Sequence, residues 1–556
     1  MAMQGLAVQI QGSAMNDSRV EEILRDQAAM ESVKTNWNTM WRQIAQVTLP
    51  RSDWFNRIAV AEGEKRTEHM FDSTAASALE RAAAAMESEI TPRTQKWHGL
   101  RLTDDTLNED MRWKRWLDQC TDLMFRARYA PMANFASQAS ESYMSLMAFG
   151  TQALFIDEVI GRHLRYKSIH LSEICIAENH VGIIDKVHRK FEMTVRQAIQ
   201  RFGADALPDK IKDLQEKEPE KKFEFIHCVK PNDNRDPDAR GKAYVSYYIV
   251  CEGRKMVLAG GYRTMPYAVS RAVTSPKEIY GRSPAMTALA DIRMLNEMEK
   301  TIIRAAHRAV DPPLLLSEDG ALQAFSTRPN ALNFGGVDTN GRPLAIPLQT
   351  GANLPLGLEI SDQKRQSIND IFYITLFQVL VQNPQMTATE AMLRAQEKGA
   401  LLAPTMGRQQ SEFLGPMISR ELDILSTAGL LPPPPEPLGE VDIDVEYTSP
   451  LVRAQRSGEG VAIMNTLNAI LPFAQIAPET LKRFNFDKIP VELAEINGMP
   501  ADLLYSDDEM KSIDDQNATA QAAQAAVQAA PALTQAQLNV AKANSLASAP
   551  SPAVTG

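Results

Sequence analysis

Two long helical patterns separated by a turn-rich insert constrain this chain more than any other feature. The first pattern runs from Pro284 to Val310. Ser283 suits its N-cap, and Pro284 suits the first turn, where the missing N–H is not needed. Asp311-Pro312-Pro313 ends the helix after about 26 residues, or roughly 39 Å. Apolar side chains recur at helical spacing along it, at Leu289, Ile292, Leu295, Met298, Ile302 and Ala306.

The second pattern runs from about Ile360 through Leu380 and also carries one broad apolar face. The insert between the two, from Asp311 to about Leu358, is rich in Pro and Gly. It predicts a small, mostly non-helical module with short strands such as Leu314–Leu316 and Ala345–Pro347. Two such helices form a rod-like hairpin, which is unusual in a small-molecule enzyme and common in assembly proteins.

The chain before the hairpin predicts helices followed by a mainly antiparallel sheet, and therefore an α+β fold that is predominantly helical. Residues 1–16 carry no clear pattern and predict a flexible arm. Predicted helices span 17–47, 74–90, 108–127, 133–149, 195–202 and 208–217. Predicted strands span 97–102, 153–156, 164–166, 182–191, 222–229, 243–251, 256–258 and 265–273.

Beyond the second helix, Gln382 to Met386 form a polar loop, and Thr387-Ala388-Thr389-Glu390 opens a helix with a capping-box pattern. We expect that helix to reach Ala428, broken near Ala403-Pro404 and Gly415-Pro416. A proline run from Leu431 to Pro437 is a plausible domain edge. The remaining elements are a strictly alternating strand at 441–447, helices at 454–471, 478–484, 489–498 and 507–513, and an Ala- and Gln-rich tail at 516–556 that is either disordered or a helical barrel.

Charge and cysteine content limit the possible functions. The net charge of -10 argues against a protein that clamps nucleic acid with Lys and Arg, although not against one that surrounds it. Four cysteines without a C-x-x-C pair indicate reduced thiols made in the cytosol. No apolar run approaches the length of a membrane span, and the N-terminus lacks a signal peptide. The sequence predicts a soluble intracellular product.

Motifs for catalysis, cofactors or metals are not found. There is no phosphate-binding loop, no pair of histidines at metal-ligand spacing and no G-x-S-x-G elbow. The run from Asn232 to Asp238 could hold Ca²⁺, but a solvated hairpin turn is the simpler interpretation because no Glu closes the loop. We therefore predict no catalytic residue, no cofactor, no metal and no enzymatic activity.

Several motifs, in their order along the chain, carry a resemblance to a known family. They are Asp72-Ser73-Thr74-Ala75, Glu87-Ser88-Glu89-Ile90-Thr91-Pro92 with Trp97, the run from Leu146 to Ile156, Ile279-Tyr280-Gly281-Arg282-Ser283-Pro284, and Thr387-Ala388-Thr389-Glu390. Together, over roughly residues 20 to 510, they resemble phage portal proteins, and most closely the head-to-tail connectors of short-tailed, podovirus-like phages. The tail after Gln516 lies outside the resemblance.

The resemblance implies a ring of twelve copies at one capsid vertex, which is the channel for genome packaging and ejection. It implies a wing (17–278), a first stem helix (279–310), a clip (311–358), a second stem helix (359–381), a tunnel loop with a long wing helix (382–430) and a crown (431–515). The implied partners are double-stranded DNA bound without sequence specificity, a large terminase docking on the clip, capsid or scaffold protein, and tail adaptor proteins. Such a protein is a virion component assembled in the host cytoplasm, and no membrane is involved.

The candidate functional residues follow from this resemblance and from charge. Lys300, Arg304 and Arg308 near the end of the first stem helix, with Lys364 and Arg365 in the second, either line the channel or pair with acids on the neighbouring subunit. Twelve copies would carry about 12 × -10 = -120, which favours sliding over tight binding. The uncharged tunnel-loop candidates, suited to weak contact with a moving duplex, are Gln382, Asn383, Gln385 and Met386.

The start of the first stem helix is the other candidate. It comprises Tyr280, Gly281, Arg282, Ser283 and Pro284, and its disruption at Gly281, Ser283 and Pro284 is expected to impair ring assembly before it unfolds the wing. Two alternatives remain. Another capsid assembly protein, such as a scaffold or minor capsid component, would show a long uninterrupted helix in place of the Pro- and Gly-rich insert. A cytosolic nuclease or hydrolase would need a convergent acidic or histidine cluster, which the sequence does not reveal.

Overall fold

A computed structural model describes most of the chain. The described residues are 13–55, 63–68, 70–108, 110–159, 163–316, 354–377, 402–435, 443–448, 459–470, 488–496 and 509–521, with shorter pieces between 326 and 348 and between 484 and 505. The chain divides into two compact units. One comprises 1–99, 120–432 and 445–458, and the other comprises 100–119, 433–444 and 459–556.

The helices and strands agree closely with the sequence-based expectations up to residue 310. The helices are α1 (Ser13–Thr48), α2 (Thr74–Ile90), α3 (Asp105–Asn108), α4 (Met111–Arg128), α5 (Phe135–Phe149), α6 (Val195–Phe202), α7 (Asp209–Lys212) and α8 (Pro284–Val310). The strands are β1 (His98–Leu102), β2 (Thr151–Val159), β3 (His163–Ser168), β4 (Ile174–Glu178), β5 (Ile184–Thr194), β6 (Lys222–Pro231), β7 (Tyr244–Val250), β8 (Lys255–Tyr262) and β9 (Tyr267–Arg271). The mixed α+β fold is therefore confirmed.

Two antiparallel sheets form the β part of the first unit. One has the order β4-β5-β6-β7-β8, and the other has the order β3-β2-β9. Strand β4 was not predicted. It is only five residues long and its pairing with β5 shifts register between Ala177 and Glu178, so it lacks a long alternating pattern.

Successive side chains of a strand point to opposite faces of a sheet. The strands of the larger sheet carry apolar side chains on both faces, and helices cover each face. Val20 and Ile23 of α1 pack against the face of the sheet that carries Ile226 of β6. On the opposite face, Ala198 of α6 and Ile211 of α7 pack with side chains of β6, β7 and β8. The sheet is thus the middle layer between α1 and the α6–α7 segment.

The second long helix differs from the expected one at both ends. Helix α9 spans Leu354–Ile371, so it begins inside the segment assigned to the insert. Pro355 lies in the first turn, where it is tolerated, so it does not mark a break. At the other end the helix turns at Phe372 and Tyr373, where Tyr373 has φ +61, before a short helical stretch at 374–377.

The predicted helix near 387–428 is described only from residue 402. The described part is helical from residue 402, so Pro404 lies in its first described turn and the break expected near Ala403-Pro404 is not tested. A single π turn at Gln410–Leu414 precedes helix α10 (Gly415–Thr427). Pro416 lacks an N–H and crowds the preceding turn, so a wider turn accommodates it without ending the helix. The Gln410 carbonyl accepts both the Gly415 N–H and the Tyr447 hydroxyl, the latter at 2.8 Å.

The remaining described elements include strands β10 (Leu314–Leu316) and β11 (Ala345–Pro347), which pair in antiparallel fashion as expected for the insert. Strand β12 (Ile443–Tyr447) falls within the predicted strand, and helix α11 (Lys488–Ile496) begins one residue before the predicted helix. Residues 459–470 and 509–521 are helical as well, and within the second unit Arg115 pairs with Glu509 at 2.8 Å. The arm at 1–12, the loop at 382–387, the helix at 478–483 and the tail after 521 lie outside the described residues.

Candidate functional site: the α8–α9 hairpin and its attachment

The start of α8 is attached to the junction between α5 and β2 through an unusually close approach of two backbone segments. A Cβ atom on Gly281 would lie 2.2 Å from the Gly150 carbonyl oxygen, and a Cβ atom on Gly150 would lie 2.4 Å from the Gly281 carbonyl oxygen. Gly150 also has φ +76, which favours glycine. Neither position can hold a side chain without moving backbone, so we call this pair the glycine contact.

Hydrogen bonds reinforce the glycine contact on both sides. The Gly281 N–H donates to the Thr151 hydroxyl at 2.9 Å, and the Ala272 N–H donates to the Gly150 carbonyl at 2.9 Å. Arg282 forms an isolated antiparallel bridge with Val273. The end of α5, the first residue of β2 and the segment after β9 therefore meet at the residues that open α8.

Tyr280 fills the space beneath this junction. Its side chain is buried, and its ring packs edge-on against Trp41 at 5.1 Å and at a tilt against Trp37 at 5.7 Å. Its hydroxyl accepts a hydrogen bond from the Ile176 N–H at 3.4 Å. Because Tyr280 touches both α1 and β4, the entry to α8 is part of the hydrophobic core.

Ser283 caps α8 as the sequence predicts, and it does more. Its hydroxyl accepts from the Met286 N–H at 3.0 Å and donates to the Ala148 carbonyl at 2.8 Å. One side chain thus satisfies a free amide at the start of α8 and a free carbonyl at the end of α5. Helix α8 then runs for 27 residues, about 40 Å, to Val310.

Helices α8 and α9 are held side by side by ion pairs and close packing. Lys364 pairs with Asp291 at 2.8 Å, and the Ser367 hydroxyl donates to the same carboxylate at 3.0 Å. A Cβ on Gly357 would lie 3.4 Å from the Ile302 side chain, so the two backbones approach closely there. These contacts fix an antiparallel hairpin with a defined register.

Arg365 connects the hairpin to the segment before α2. Its guanidinium pairs with Glu299 of α8 at 2.7 Å, with Asp72 at 2.9 Å and with Asp362 of its own helix at 2.7 Å. The Asn296 side-chain oxygen accepts from the Phe71 N–H at 2.6 Å and from the Asp72 N–H at 3.3 Å. We call Asp72, Asn296, Glu299 and Arg365 the Arg365 cluster.

The Arg365 cluster holds two carboxylates, which share one guanidinium, at low exposure. The side chains of Asp72 and Glu299 are 9% and 11% exposed. Burial acts to raise the pKa of Asp72, but hydrogen bonds from Thr74 and Arg365 outweigh it and hold the pKa below its usual value. Asp72 is therefore ionised at neutral pH, and the cluster joins three segments of the chain.

The predicted basic residues fall into two groups. Lys364 and Arg365 are engaged within the chain, as described above. Lys300 pairs with Glu297 at 3.2 Å and lies over the Phe71 ring, whereas Arg304 and Arg308 are exposed and have no ion-pair partner in the part of the chain that the structure describes. The four loop candidates, Gln382, Asn383, Gln385 and Met386, lie outside the described residues.

Sequence reasoning found the basic residues and the helix start but missed four of their partners. Asp72 and Gly150 were recognised only as parts of motifs. Asn296 and Glu299 are polar residues on the buried face of α8, three positions apart. Polar side chains at that spacing on an apolar face indicate that a charged or polar partner is buried against them.

Within the described residues, no three His, Cys, Asp or Glu side chains converge as a metal site. The run from Asn232 to Asp238 forms a turn in which Asn232 accepts from the Asp236 N–H at 2.7 Å and Asp236 accepts from the Asp238 N–H at 3.0 Å. Tyr247 and Arg19 occupy the other carboxylate oxygen of Asp236. The hairpin-turn interpretation of this segment is the one its contacts support.

No described helix is both long and apolar enough to cross a membrane.

The buried histidines have structural partners. His227 lies between the Tyr267 hydroxyl at 2.6 Å and the Ser246 hydroxyl at 3.0 Å, and His170 lies between the Ser172 hydroxyl at 2.8 Å and the Ser52 carbonyl at 3.0 Å. These side chains support packing of the first compact unit.

Comparison with known proteins identifies the family. The model of a family described as "Bacteriophage head to tail connecting protein" matches residues 20–504. A protein named "Probable portal protein" from Bordetella phage BPP-1 is 31% identical over 525 residues, covering 92% of this chain and 93% of that protein. The "Portal protein" of Salmonella phage epsilon15 is 26% identical over 521 residues, with the same coverage of 92% and 93%.

Solved structures add little to this assignment. One described as "Virion of native gene transfer agent (GTA) particle" covers 70% of this chain and 85% of its own, at 10% identity and a TM-score of 0.34. A likeness that weak carries no argument. The match to the family over most of the sequence, together with the two relatives, is sufficient: the chain belongs to the bacteriophage head-to-tail connecting proteins, and its function is that of a portal protein.

Proposed function

We propose that copies of this chain form a ring at one capsid vertex, around a channel through which double-stranded DNA enters during packaging and leaves during ejection. The observation that carries this proposal is the α8–α9 hairpin. It is about 40 Å long, it is attached to the wing by the glycine contact, and its two helices are tied by ion pairs. Such an element is suited to serve as one wall segment of a channel.

The units of the subunit are proposed to follow the order of the family. Residues 17–278 form the wing, α8 and α9 form the stem, and the segment between them forms the clip. Since α9 begins at Leu354, the clip spans about 311–353 and not 311–358. Residues 382–387 form the tunnel loop, and 431–515 form the crown.

The partners of the ring are proposed from the same role. A large terminase docks on the clip during packaging, and tail adaptor proteins take its place afterwards. Capsid or scaffold protein surrounds the ring, and DNA is contacted without sequence preference. The ring itself carries no catalytic step, and twelve copies are expected. The paired strands β10 and β11 favour a docking module in the clip over the uninterrupted helix of a scaffold protein.

The test is the assembly state of the purified full-length chain. We expect sedimentation velocity to give a large closed species, which for twelve copies of a 61.6-kDa chain is about 740 kDa (12 × 61.6 kDa). Negative-stain images should show a ring with a central channel. A monomer at micromolar concentration, or a closed particle without a channel, would refute the proposal.

A further inference from the structure

The two outward faces of the α8–α9 hairpin carry opposite charge. On α8, Arg293, Lys300, Arg304 and Arg308 lie within an arc of about 80° at 100° per residue. On α9, Glu359, Asp362 and Asp370 lie within a similar arc of about 80°. We call these sets the basic face and the acidic face.

Each face points away from the partner helix of its own hairpin. The residues of α8 that contact α9, such as Asp291 and Ile302, lie on the side opposite the basic face. The residues of α9 that contact α8, such as Gly357 and Lys364, lie opposite the acidic face. The hairpin therefore presents a basic surface on one side and an acidic surface on the other.

Most of these charges lack partners within the chain. Arg293, Arg304, Arg308 and Glu359 are exposed and have no ion pair with any described residue. Among the described residues, Lys300 forms an ion pair only with Glu297 of its own face, which leaves the basic face with a net charge of +3. The acidic face carries -3, and the side chain of Asp362 is 73% exposed although it touches Arg365.

Large apolar side chains flank both faces. Met294 is 48% exposed and Ile303 is 41% exposed beside the basic face. Leu356 is 52% exposed and Leu358 is 48% exposed beside the acidic face. A charged face that only meets water does not need such side chains, whereas a protein interface combines apolar contacts with charge complementarity.

We infer that the basic face of one subunit binds the acidic face of a second copy of this chain. A head-to-tail contact between two different faces closes into a ring when its rotation permits. The Lys364–Asp291 pair places Glu359 and Asp362 level with the stretch between Arg293 and Lys300, so a rotation about an axis along the hairpin brings opposite charges together. The inference rests on the proposed ring and assigns its contact surface.

If the basic face binds a neighbouring subunit, its residues cannot also line the channel. Arg304 and Lys300 face the adjacent subunit and are neutralised there, so they do not line the channel. Contact between these faces is electrostatic in part and weakens with salt, because the Debye length falls from about 10 Å at 0.1 M to about 3 Å at 1 M. The equilibrium between rings and free subunits should therefore shift towards subunits as salt rises.

A charge-swap experiment on the full-length chain tests the inference. The first variant is Arg293→Glu with Arg304→Glu, which reverses the basic face. The second is Glu359→Arg with Asp370→Arg, which reverses the acidic face. Each variant alone should lose at least tenfold in the fraction of rings measured by sedimentation velocity. An equimolar mixture should recover rings, because each reversed face then meets its complement on the other variant.

Controls separate the possible outcomes. Lys217→Glu and Glu216→Lys change the same charges on an exposed part of the wing and should assemble like wild type. Circular dichroism should show that every variant is folded.

Wild-type ring yield from both reversed variants would overturn the inference, and so would a mixture of folded variants that stays dissociated. Rings of the first variant that no longer retain DNA would also overturn it and would assign the basic face to the channel. Failure of the wild-type chain to form rings would refute the proposed function itself.

Discussion

Gly150 and Gly281 occupy positions where two backbone segments lie too close for any side chain. The carbonyl oxygen of each lies less than 2.5 Å from where a Cβ of the other would stand. Contacts of that kind cannot relax by a change of rotamer, because the obstructing atoms belong to the main chain. The sequence marked both glycines as motif residues, but only the fold shows that the two motifs touch.

We predict that Gly281→Ala destabilises the wing by about 3 kcal/mol, because the added methyl group must displace the backbone at residue 150. The midpoint of chemical unfolding measures this loss. Gly260→Ala is the matched control, since a Cβ there meets nothing within 4 Å, and it should change the free energy of unfolding by well under half as much. A wild-type midpoint for Gly281→Ala would contradict the prediction.

The glycine contact bears on the expectation that disrupting the start of α8 impairs ring assembly before it unfolds the wing. For Ser283 and Pro284 that expectation stays a prediction. Gly281 and Tyr280 differ, because they are packed into the wing core and are expected to affect its stability directly.

At the scale of whole elements, helices with local signals were predictable and those set by distant contacts were not. The start of α8 at Pro284 followed from Ser283 and from the proline itself. The end of α9 did not follow, because the left-handed Tyr373 carries no local signal. The start of α9 was misjudged because Pro355 is compatible with a first turn as well as with a break.

In the candidate site, too, features with local sequence signals were predictable and contacts between distant residues were not. Charge and helical spacing singled out Lys364 and Arg365, but their partners lie far away in sequence. Asp72 and Arg365 are 293 positions apart, and no periodic pattern connects them. Pairing across such a distance is a property of the folded chain, so a single sequence cannot reveal it.

We expect Arg365→Met to destabilise the hairpin by about 2 kcal/mol, because Asp72 and Glu299 would be left as poorly solvated carboxylates without a cation. Hydrogen exchange of the α9 amides should quicken, and the unfolding midpoint should fall. Arg365→Lys should be intermediate, since a single ammonium cannot bridge both acids in the same geometry.

Lys217→Met serves as the control for lost charge on an exposed side chain and should fall within about 0.5 kcal/mol of wild type. If Arg365→Met matched this control, the Arg365 cluster would have no role in holding the two helices to the segment before α2.

At the scale of the whole molecule, buried histidines make stability depend on pH. Burial lowers the pKa of His170 to about 4 and that of His188 to about 3, and burial beside Arg128 lowers the pKa of His98 well below its usual value. These residues are neutral in the folded protein at pH 7. In the unfolded chain they bind protons near pH 6.5.

The unfolded state therefore binds more protons between about pH 6.5 and the folded pKa values, and stability falls as pH falls through that window. We expect the free energy of unfolding to drop by about 1 kcal/mol per buried histidine between pH 7.5 and pH 5.5. His188→Gln should remove about one such contribution. A wild-type profile that is flat across this range would contradict the assignment of neutral buried histidines.

The π turn at Gln410–Leu414 determines in which direction the side chains of α10 point around the helix axis. Before the turn, the Gln409 side chain meets Ser270 of β9 at 2.7 Å. After it, Glu421 accepts from the Tyr166 hydroxyl at 2.7 Å and pairs with the buried Arg128. Loss of one residue from the turn would give a smoother α-helix, yet it would rotate Glu421 by about 100° and leave Arg128 facing apolar side chains. The irregular turn thus allows one helix to meet two separate polar sites in the first compact unit.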